Sequence, residues 1–176
     1  MKHNIRLTGT GGQGLILAGI ILAEAALLEG KNAIQSQSYG PEARGGASKA
    51  EVIIADEAIH FPKVQESDYL LAMSEKAYEK YSAGMKDGSV LIIDTTFVEE
   101  RPNAKAKTTY AIPITKLAID ATGRELTANI CALGVMSALG LVGEEALKKA
   151  ILNRIPKGTE ELNMKAFEAG KNAAEA

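Results

Sequence analysis

The chain has 176 residues, a net charge of −2 and 46% apolar residues, a composition that favours one domain over residues 1–176 with a sizeable core. Basic and acidic residues are interspersed, without the basic stripe typical of nucleic-acid-binding proteins. A single cysteine excludes an internal disulfide and a cysteine-rich metal or iron–sulfur site. The longest apolar run, 130–142, is shorter than the roughly 20 residues of a membrane span, and no signal peptide is predicted. We therefore expect a soluble, cytoplasmic protein without a membrane or nucleic-acid partner.

The first elements are a strand, a glycine-rich turn and a helix, in the order that a phosphate-binding turn requires. The apolar strand 4–8 leads into Gly-Thr-Gly-Gly-Gln-Gly at 9–14, and an apolar helix follows at once. Gly9 and Gly11 are expected to permit the tight turn, so that backbone amides point outwards at the helix N-terminus. Gln13 stands where its amide would reach a ligand or a partner chain. Close packing of helix on strand without a ligand is the alternative.

The second strand, about Ala33–Ser38, carries no acidic residue. A dinucleotide-binding fingerprint needs an Asp or Glu at the end of this strand to hold the ribose. The sequence therefore has the phosphate half of the fingerprint without the ribose half, which argues against an ordinary NAD enzyme.

A second glycine-rich loop, Tyr39–Gly46, follows this strand. In a right-handed βαβ arrangement the loop lies at the carboxyl edge of the sheet, beside the first glycine turn. Arg44 offers a guanidinium suited to a phosphate or a carboxylate, and Gly45 and Gly46 permit close backbone approach. The alternative is a surface ion pair between Arg44 and Glu42.

The remaining elements alternate between strands and helices, which predicts an α/β, three-layer Rossmann-like fold with a mainly parallel sheet, helices on both faces and a helical C-terminal part. A helix is expected to start after Ser74, with Ser74 as its N-cap, and Lys86–Gly88 is predicted to form a turn. The predicted strands are Ser48–Ala55, Tyr69–Met73, Ser89–Asp94 and a late or edge strand at Lys107–Ile114, and the predicted C-terminal helices are Thr127–Leu141, Glu144–Arg154 and Glu160–Ala174.

Other candidate residues do not form a recognisable catalytic group. Cys131 lies in an apolar helix and is interpreted as a buried, inert thiol. His3 and His60 have no visible acidic or metal-binding partner and are interpreted as structural or solvated. We therefore predict no catalytic residue and no metal ligand in this chain, which favours a binding domain or a subunit of a larger assembly.

Three segments together resemble a known family: the turn at 9–14, Ser-Tyr-Gly-Pro-Glu-Ala-Arg-Gly-Gly-Ala at 38–47 and Ser-Asp-Tyr-Leu-Leu-Ala-Met at 67–73. In this order they look like the gamma subunit, or gamma domain, of the 2-oxoacid:ferredoxin oxidoreductases. The resemblance extends into residues 88–94 and the helical C-terminal part. The sequence of the second segment is most similar to that of the 2-oxoglutarate branch of the family, with the pyruvate and branched-chain branches as close relatives.

The resemblance implies a complex that converts a 2-oxoacid and coenzyme A into acyl-CoA and carbon dioxide and reduces ferredoxin. Thiamine diphosphate, Mg²⁺ and iron–sulfur clusters would do this chemistry in partner subunits. Lys86–Gly88 does not match the family's thiamine fingerprint, and one cysteine cannot ligate a cluster that needs four. The resemblance therefore implies a non-catalytic subunit beside alpha, beta and delta chains, with the glycine loops helping to shape the coenzyme A entrance.

The candidate site residues are positions for cofactor binding or subunit contact. They are Gly9, Gly11, Gly12, Gln13, Gly14, Tyr39, Glu42, Arg44, Gly45 and Gly46. The isolated chain is expected to self-associate as a homo-oligomer, since the absence of its partners would leave apolar surface uncovered. A stand-alone nucleotide- or phosphate-binding regulatory module is the alternative function, because it explains the first glycine turn equally well.

Overall fold

The computed structural model describes residues 1–38 and 46–176, which build a six-stranded sheet with helices on both faces. The strands are β1 (Lys2–Gly9), β2 (Asn32–Gln37), β3 (Ser48–Ala55), β4 (Ser67–Ala72), β5 (Met85–Asp94) and β6 (Ala106–Ile112). The helices are α1 (Leu15–Leu28), α2 (Glu75–Tyr81), α3 (Ile114–Thr122), α4 (Ala128–Ala138), α5 (Glu144–Arg154) and α6 (Glu160–Glu175). In these described ranges, none of the helices has the length and apolar character needed to cross a membrane.

The strand order is β2-β3-β1-β4-β5-β6. The pairs β1–β4, β4–β5 and β5–β6 are parallel, whereas β3 is antiparallel to both of its neighbours, β1 and β2. Every strand except β3 therefore runs in the same direction, and the prediction of an α/β fold with a mainly parallel sheet is confirmed.

The β1–α1–β2 unit differs from a βαβ unit with adjacent strands, because β3 lies between β1 and β2. The difference follows from polarity. Residues 50–55 of β3 are all buried, so this strand takes a position covered on both faces. β2 carries Gln35, Ser36 and Gln37, is only half-buried, and takes the edge. The carboxyl end of β2 nevertheless lies at the same edge of the sheet as the carboxyl end of β1, since both strands pair antiparallel with β3.

The two faces of the sheet are covered unequally. Helices α1, α3, α4, α5 and α6 contribute to one large core on one face, whose fully buried residues include Ile5 and Leu7 of β1 and Phe167 of α6. The short helix α2 covers the other face, where its Tyr78 packs in a smaller cluster with Leu70. The C-terminal part of the chain is therefore helical, as predicted, and lies almost entirely on one side.

Local capping follows the sequence pattern at two helices. The Ser74 hydroxyl accepts a hydrogen bond from the Ala77 N–H at 3.2 Å, which confirms Ser74 as the N-cap of α2. Gly30 has φ +78° directly after the last turn of α1, and its N–H donates to the Leu27 carbonyl at 3.0 Å. A left-handed glycine in this place ends the helix.

Three predicted boundaries are wrong. Lys86–Gly88 is not a turn but part of β5. An irregularity in the strand pairing and the positive φ of +83° at Gly88 allow these residues to lie within the strand. A separate helix, α3, starts directly after Pro113, where the predicted edge strand still continues. Helix α4 ends at Ala138 instead of Leu141, because the chain reverses at Gly140 with φ +78°. The edge position of β6 and the boundaries of α5 are confirmed.

Candidate functional site

A cavity of about 650 Å³ lies at the carboxyl edge of the parallel strands, against the first glycine turn. Strands β1, β4 and β5 all end there because they are parallel, and ligands of open α/β sheets bind in such crevices. The lining residues come from these strand ends, the start of α3 and the segment before α4. They are Thr10, Gly12, Gln13, Met73, Ser74, Phe97, Thr115, Arg124, Glu125, Leu126 and Ala128.

Gln13 holds the glycine turn in place from within the chain. Its side-chain oxygen accepts a hydrogen bond from the Thr10 N–H at 2.7 Å, and its side-chain nitrogen donates to the Met73 carbonyl at 2.9 Å. The carboxamide therefore ties the turn to the end of β4. Gly9 is required beneath it, because a Cβ at this position would overlap the Gln13 side-chain oxygen and approach the Met73 Cβ to 3.2 Å.

Gly14 closes the turn and is fixed by a residue from α4. It has φ +72°, a left-handed conformation that favours glycine, and an added Cβ would lie 2.6 Å from the Asn129 amide nitrogen. Asn129 is 5% exposed and donates to the Gly14 carbonyl at 3.1 Å, while its own oxygen accepts from the Ile130 N–H at 2.9 Å. The sequence identifies Asn129 only as a polar member of an apolar helix and does not predict this positioning role.

Gly11 and Gly12 differ from Gly9 and Gly14 because nothing in the described parts of the chain requires them to be glycine. Neither has a positive φ, and no described residue lies within 4 Å of an added Cβ at either position. Both are exposed. Because neither residue has a side chain, the outer surface of the turn is low, meaning that no side chain projects from it and its backbone is accessible. A ligand or another chain can therefore approach the turn closely.

A buried carboxylate shapes the opposite wall of the cavity. Asp94 is fully buried at the end of β5 and accepts a hydrogen bond from the Thr115 hydroxyl at 2.6 Å. The Thr115 N–H lies 3.3 Å from the same carboxylate, and the Thr96 N–H donates to it at 3.0 Å. These bonds fix the start of α3 against the turn that follows β5 and thereby place Phe97 at the cavity.

The rim of the cavity carries exposed apolar side chains and one cation. Phe97 is 46% exposed and Leu126 is 78% exposed, while Met73 and Ala128 are buried in the wall behind them. Arg124 supplies a positive charge at the same rim. No local pattern in the sequence marks these positions, because they are separated along the chain and meet only in the folded protein.

The second predicted loop is described only at its end. Tyr39, Glu42, Arg44 and Gly45 lie outside the described residues. Gly46 has φ +78°, and an added Cβ would lie 3.1 Å from the Lys76 side chain at the start of α2. The loop therefore rejoins the described chain at the carboxyl edge, on the α2 side of the sheet.

The remaining candidates lie outside the cavity. Cys131 is buried, and this burial raises the pKa of its thiol to about 12, so it stays protonated. His3 packs edge-on against Tyr69 with 5.4 Å between ring centroids, and burial lowers the pKa of its imidazole. His60 is exposed. Residues 1–38 and 46–176 contain no group of three or more His, Cys, Asp or Glu side chains placed to hold a metal ion.

Comparison with known proteins identifies the family. The pyruvate ferredoxin/flavodoxin oxidoreductase family model matches residues 4–173, nearly the whole chain. The chain belongs to this family, which confirms the resemblance noted in the sequence.

Two curated relatives and one solved structure match over nearly their whole length. The 2-oxoglutarate synthase subunit KorC of Methanocaldococcus jannaschii is 48% identical over 99% of this chain and 95% of that protein. The pyruvate synthase subunit PorC of the same organism is 33% identical over 96% of this chain and 94% of that protein. The crystal structure of a keto/oxoacid ferredoxin oxidoreductase gamma subunit from Geobacter sulfurreducens superimposes with a TM-score of 0.88 at 51% identity, covering 98% of both chains.

Proposed function

We propose that this chain is the gamma subunit of a 2-oxoglutarate:ferredoxin oxidoreductase. The observation that carries the proposal is the difference between two relatives from one organism. The 2-oxoglutarate synthase subunit is 48% identical to this chain and the pyruvate synthase subunit 33%, both over nearly full length. The chain is thus an oxidoreductase subunit that shares more of its sequence with the 2-oxoglutarate branch than with the pyruvate branch.

The chain contributes binding surface, and the redox chemistry belongs to partner subunits. Its one cysteine is buried and protonated, whereas an iron–sulfur cluster takes several thiolates. The proposed partners are alpha, beta and delta subunits that carry thiamine diphosphate, Mg²⁺ and iron–sulfur clusters and pass electrons to ferredoxin, within the cytoplasm.

We assign the cavity at the carboxyl edge to contact with the rest of this complex and with coenzyme A at its entrance. The low surface at Gly11 and Gly12 suits close approach of another group, and exposed Phe97 and Leu126 suit an apolar one. Arg124 at the rim suits an anionic group such as a phosphate of coenzyme A. Arg44 stays a prediction for the same role from the second loop.

Purification from the native source tests the proposal. The chain is tagged at its chromosomal copy and isolated under mild, anaerobic conditions, and the proteins retained with it are identified by mass spectrometry. We expect larger subunits, one of them rich in cysteine, and reduction of ferredoxin by the isolated material with 2-oxoglutarate and coenzyme A. Isolation of the chain alone, without a retained subunit or activity, would contradict the proposal.

The alternative of a stand-alone nucleotide-binding module is less well supported. The Thr10 N–H, which a phosphate would need, is already bonded to Gln13. The near-full-length match to named enzyme subunits is also unexpected for a regulatory module. Calorimetry of the isolated chain with NAD, FAD and ATP separates the two, because the alternative requires micromolar binding and the subunit assignment requires none.

A further inference from the structure

Strand β2 is the edge strand of the sheet in the part of the chain that the structure describes. Among the described residues it has a strand neighbour on one side only, β3. The Ser38 N–H donates to the Lys49 carbonyl at 3.1 Å, so the backbone of Ser38 points towards β3. Along an antiparallel strand, residues whose backbone groups point towards the neighbour alternate with residues whose groups point away from it. The N–H and C=O groups of Ala33 and Gln35 consequently point away from β3, in the arrangement that accepts a further strand.

Strand β2 itself carries neither of two residue types that hinder such pairing. Residues 32–37 contain no charged residue and no proline, both of which proteins use to block an open edge. The opposite edge of the sheet is different, because β6 carries Lys107 and is followed directly by Pro113. The β2 edge is therefore suited to pairing with another strand, whereas the charged residue and the proline hinder pairing at the β6 edge.

Helix α1 places an apolar stripe along the same side of the molecule. The stripe consists of Ile16, Ile20 and Leu27, whose spacing puts them on one flank of the helix, with the buried Ala23 between Ile20 and Leu27. Ile16 is 44% exposed and Leu27 is 57% exposed, although both belong to a helix that is otherwise mostly buried.

Contacts of α1 show that this flank faces outwards above β2. An added Cβ on Gly19 would lie 3.5 Å from Gln35 of β2 and 3.3 Å from Ala50 of β3, so the helix lies over the boundary between these strands. Leu15, on the other flank, approaches Gly9 of β1. Since successive residues are about 100° apart, the stripe lies on the side of Gly19 opposite to Leu15, towards the open edge.

We propose that the β2 edge and the α1 stripe form a dimer interface for a second copy of this chain. Two β2 edges pair antiparallel about a twofold axis, which continues the sheet across the interface. Strands pair about 4.8 Å apart, and each α1 lies roughly half a strand spacing inside its own β2. The two α1 axes are then about 10 Å apart, the distance at which helices pack.

The surface complements itself in polarity as well as in geometry. The nearest acidic residue on α1, Glu24, is already paired with Arg154 at 2.9 Å on α5. The interface is therefore apolar between the helices and hydrogen-bonded between the strands, without charges that would select an oppositely charged partner. In the antiparallel arrangement, Ile16 of one copy meets Leu27 of the other.

The dimer is expected to be weak. β2 and α1 are each about 20 Å long, so the shared face is smaller than the roughly 1,600 Å² of a standard interface. This inference concerns the chain by itself and does not depend on the proposed function.

Sedimentation velocity of the full chain tests the proposal, over about 5 to about 500 µM, the range in which a weak interface dissociates. The variants are Ile16→Glu and Leu27→Lys, whose charges match the dipole of α1 at each end. The controls are Ile119→Lys and Leu152→Glu, which alter similarly exposed apolar residues on α3 and α5. Circular dichroism checks that every variant is folded.

We expect a concentration-dependent dimer for the unaltered chain and both controls, and at least tenfold weaker association for each stripe variant alone. An equimolar mixture of the two stripe variants should regain the dimer, because the introduced glutamate of one copy then meets the introduced lysine of the other. A monomer at every concentration would overturn the proposal, as would equal loss in the controls. The proposal would also be overturned if the chain never dimerises and its stripe binds another subunit instead.

Discussion

Gln13 determines the character of the glycine turn. In a phosphate-binding turn the backbone N–H groups are free for the ligand. Here the Gln13 carboxamide occupies the Thr10 N–H and also reaches the Met73 carbonyl at the end of β4. The turn therefore has a defined shape before any partner arrives, and its low outer surface at Gly11 and Gly12 is available for contact.

Replacement of Gln13 should loosen the turn. Gln13→Ala removes two hydrogen bonds, one of them to a partly buried carbonyl, and should lower the free energy of unfolding by about 1 kcal/mol. Urea denaturation measures the change. Gln65→Ala, at an exposed position, is the matched control and should have almost no effect. An equally small effect for both variants would mean that Gln13 does not hold the turn.

A side chain introduced at Gly12 should affect contact with other subunits without affecting folding. Gly12→Leu should change the free energy of unfolding by no more than about 0.5 kcal/mol, since the space around the position is open. The same variant should weaken association with the other subunits of the complex at least tenfold, because leucine blocks close approach to the turn. Pull-down with a titrated amount of each variant measures this, with Gly12→Ala as the smaller change. Normal assembly of Gly12→Leu would remove the turn from the contact surface.

At the scale of elements, α4 and α6 pack unusually closely. An added Cβ on Gly134 would overlap the Phe167 carbonyl oxygen, and one on Gly170 would overlap the Cys131 carbonyl oxygen. Both obstacles are backbone atoms, which cannot move aside as a flexible side chain does. The small residues therefore bring the two helices together, and this contact supports α4, from which Asn129 reaches the glycine turn.

Gly170→Ala should accordingly be strongly destabilising despite the better helix propensity of alanine. We expect a loss of about 2 kcal/mol or more in the free energy of unfolding, from overpacking against backbone. Gly11→Ala is the matched control, since an added Cβ there meets nothing among the described residues within 4 Å. Thermal and urea unfolding of the two variants compare them directly. A Gly170→Ala protein as stable as the control would contradict the close packing.

An ion-pair group connects α5 with α6. Glu144 lies 3.1 Å from Lys171 and 2.9 Å from Lys148, and Lys148 lies 3.0 Å from Glu168. Hydrogen bonds from the two lysines lower the pKa of the Glu144 carboxyl below its ordinary value of 4.5. Because the folded state then holds the proton less tightly than the unfolded state, this stabilisation is present above about pH 4.5 and is lost as the pH falls through the folded pKa.

Glu144→Gln should therefore lower the melting temperature slightly at pH 7 and progressively less as the pH falls towards 3. The effect is small because Glu144 and its lysine partners are only half-buried, so that salt screens their interaction. Differential scanning calorimetry at several pH values measures it, with Glu161→Gln, a more exposed acid on α6, as the control. A difference that stays constant from pH 7 to pH 3 would show that the charge of Glu144 does not act in this way.

An element can be predicted from the sequence when residues that are close together along the chain determine its structure. The glycine turn, the N-cap at Ser74 and the apolar strands are encoded by neighbouring residues and are predicted correctly. Lys86–Gly88 has turn composition, but pairing within the sheet holds it in β5. The insertion of β3 between β1 and β2 depends on the burial of whole strands. The apolar cavity rim at Phe97 and Leu126 depends on tertiary contacts, so no sequence motif marks it.

At the scale of the whole molecule, the described surface has two separate regions suited to contact. The cavity at the carboxyl edge combines a low glycine turn with exposed apolar side chains. The β2 edge with the α1 stripe lies along the side of the sheet. A subunit of a larger enzyme needs such surfaces to contact the other chains of the complex.

Reconstitution of the enzyme with and without this chain tests its assignment as the gamma subunit of a 2-oxoglutarate:ferredoxin oxidoreductase. The other subunits are purified together in its absence, and ferredoxin reduction is measured with 2-oxoglutarate, pyruvate or 2-ketoisovalerate in the presence of coenzyme A. We predict that addition of the chain restores stoichiometric assembly and turnover, with 2-oxoglutarate as the preferred substrate. Full turnover without the chain, or a restored enzyme that prefers pyruvate, would contradict the assignment.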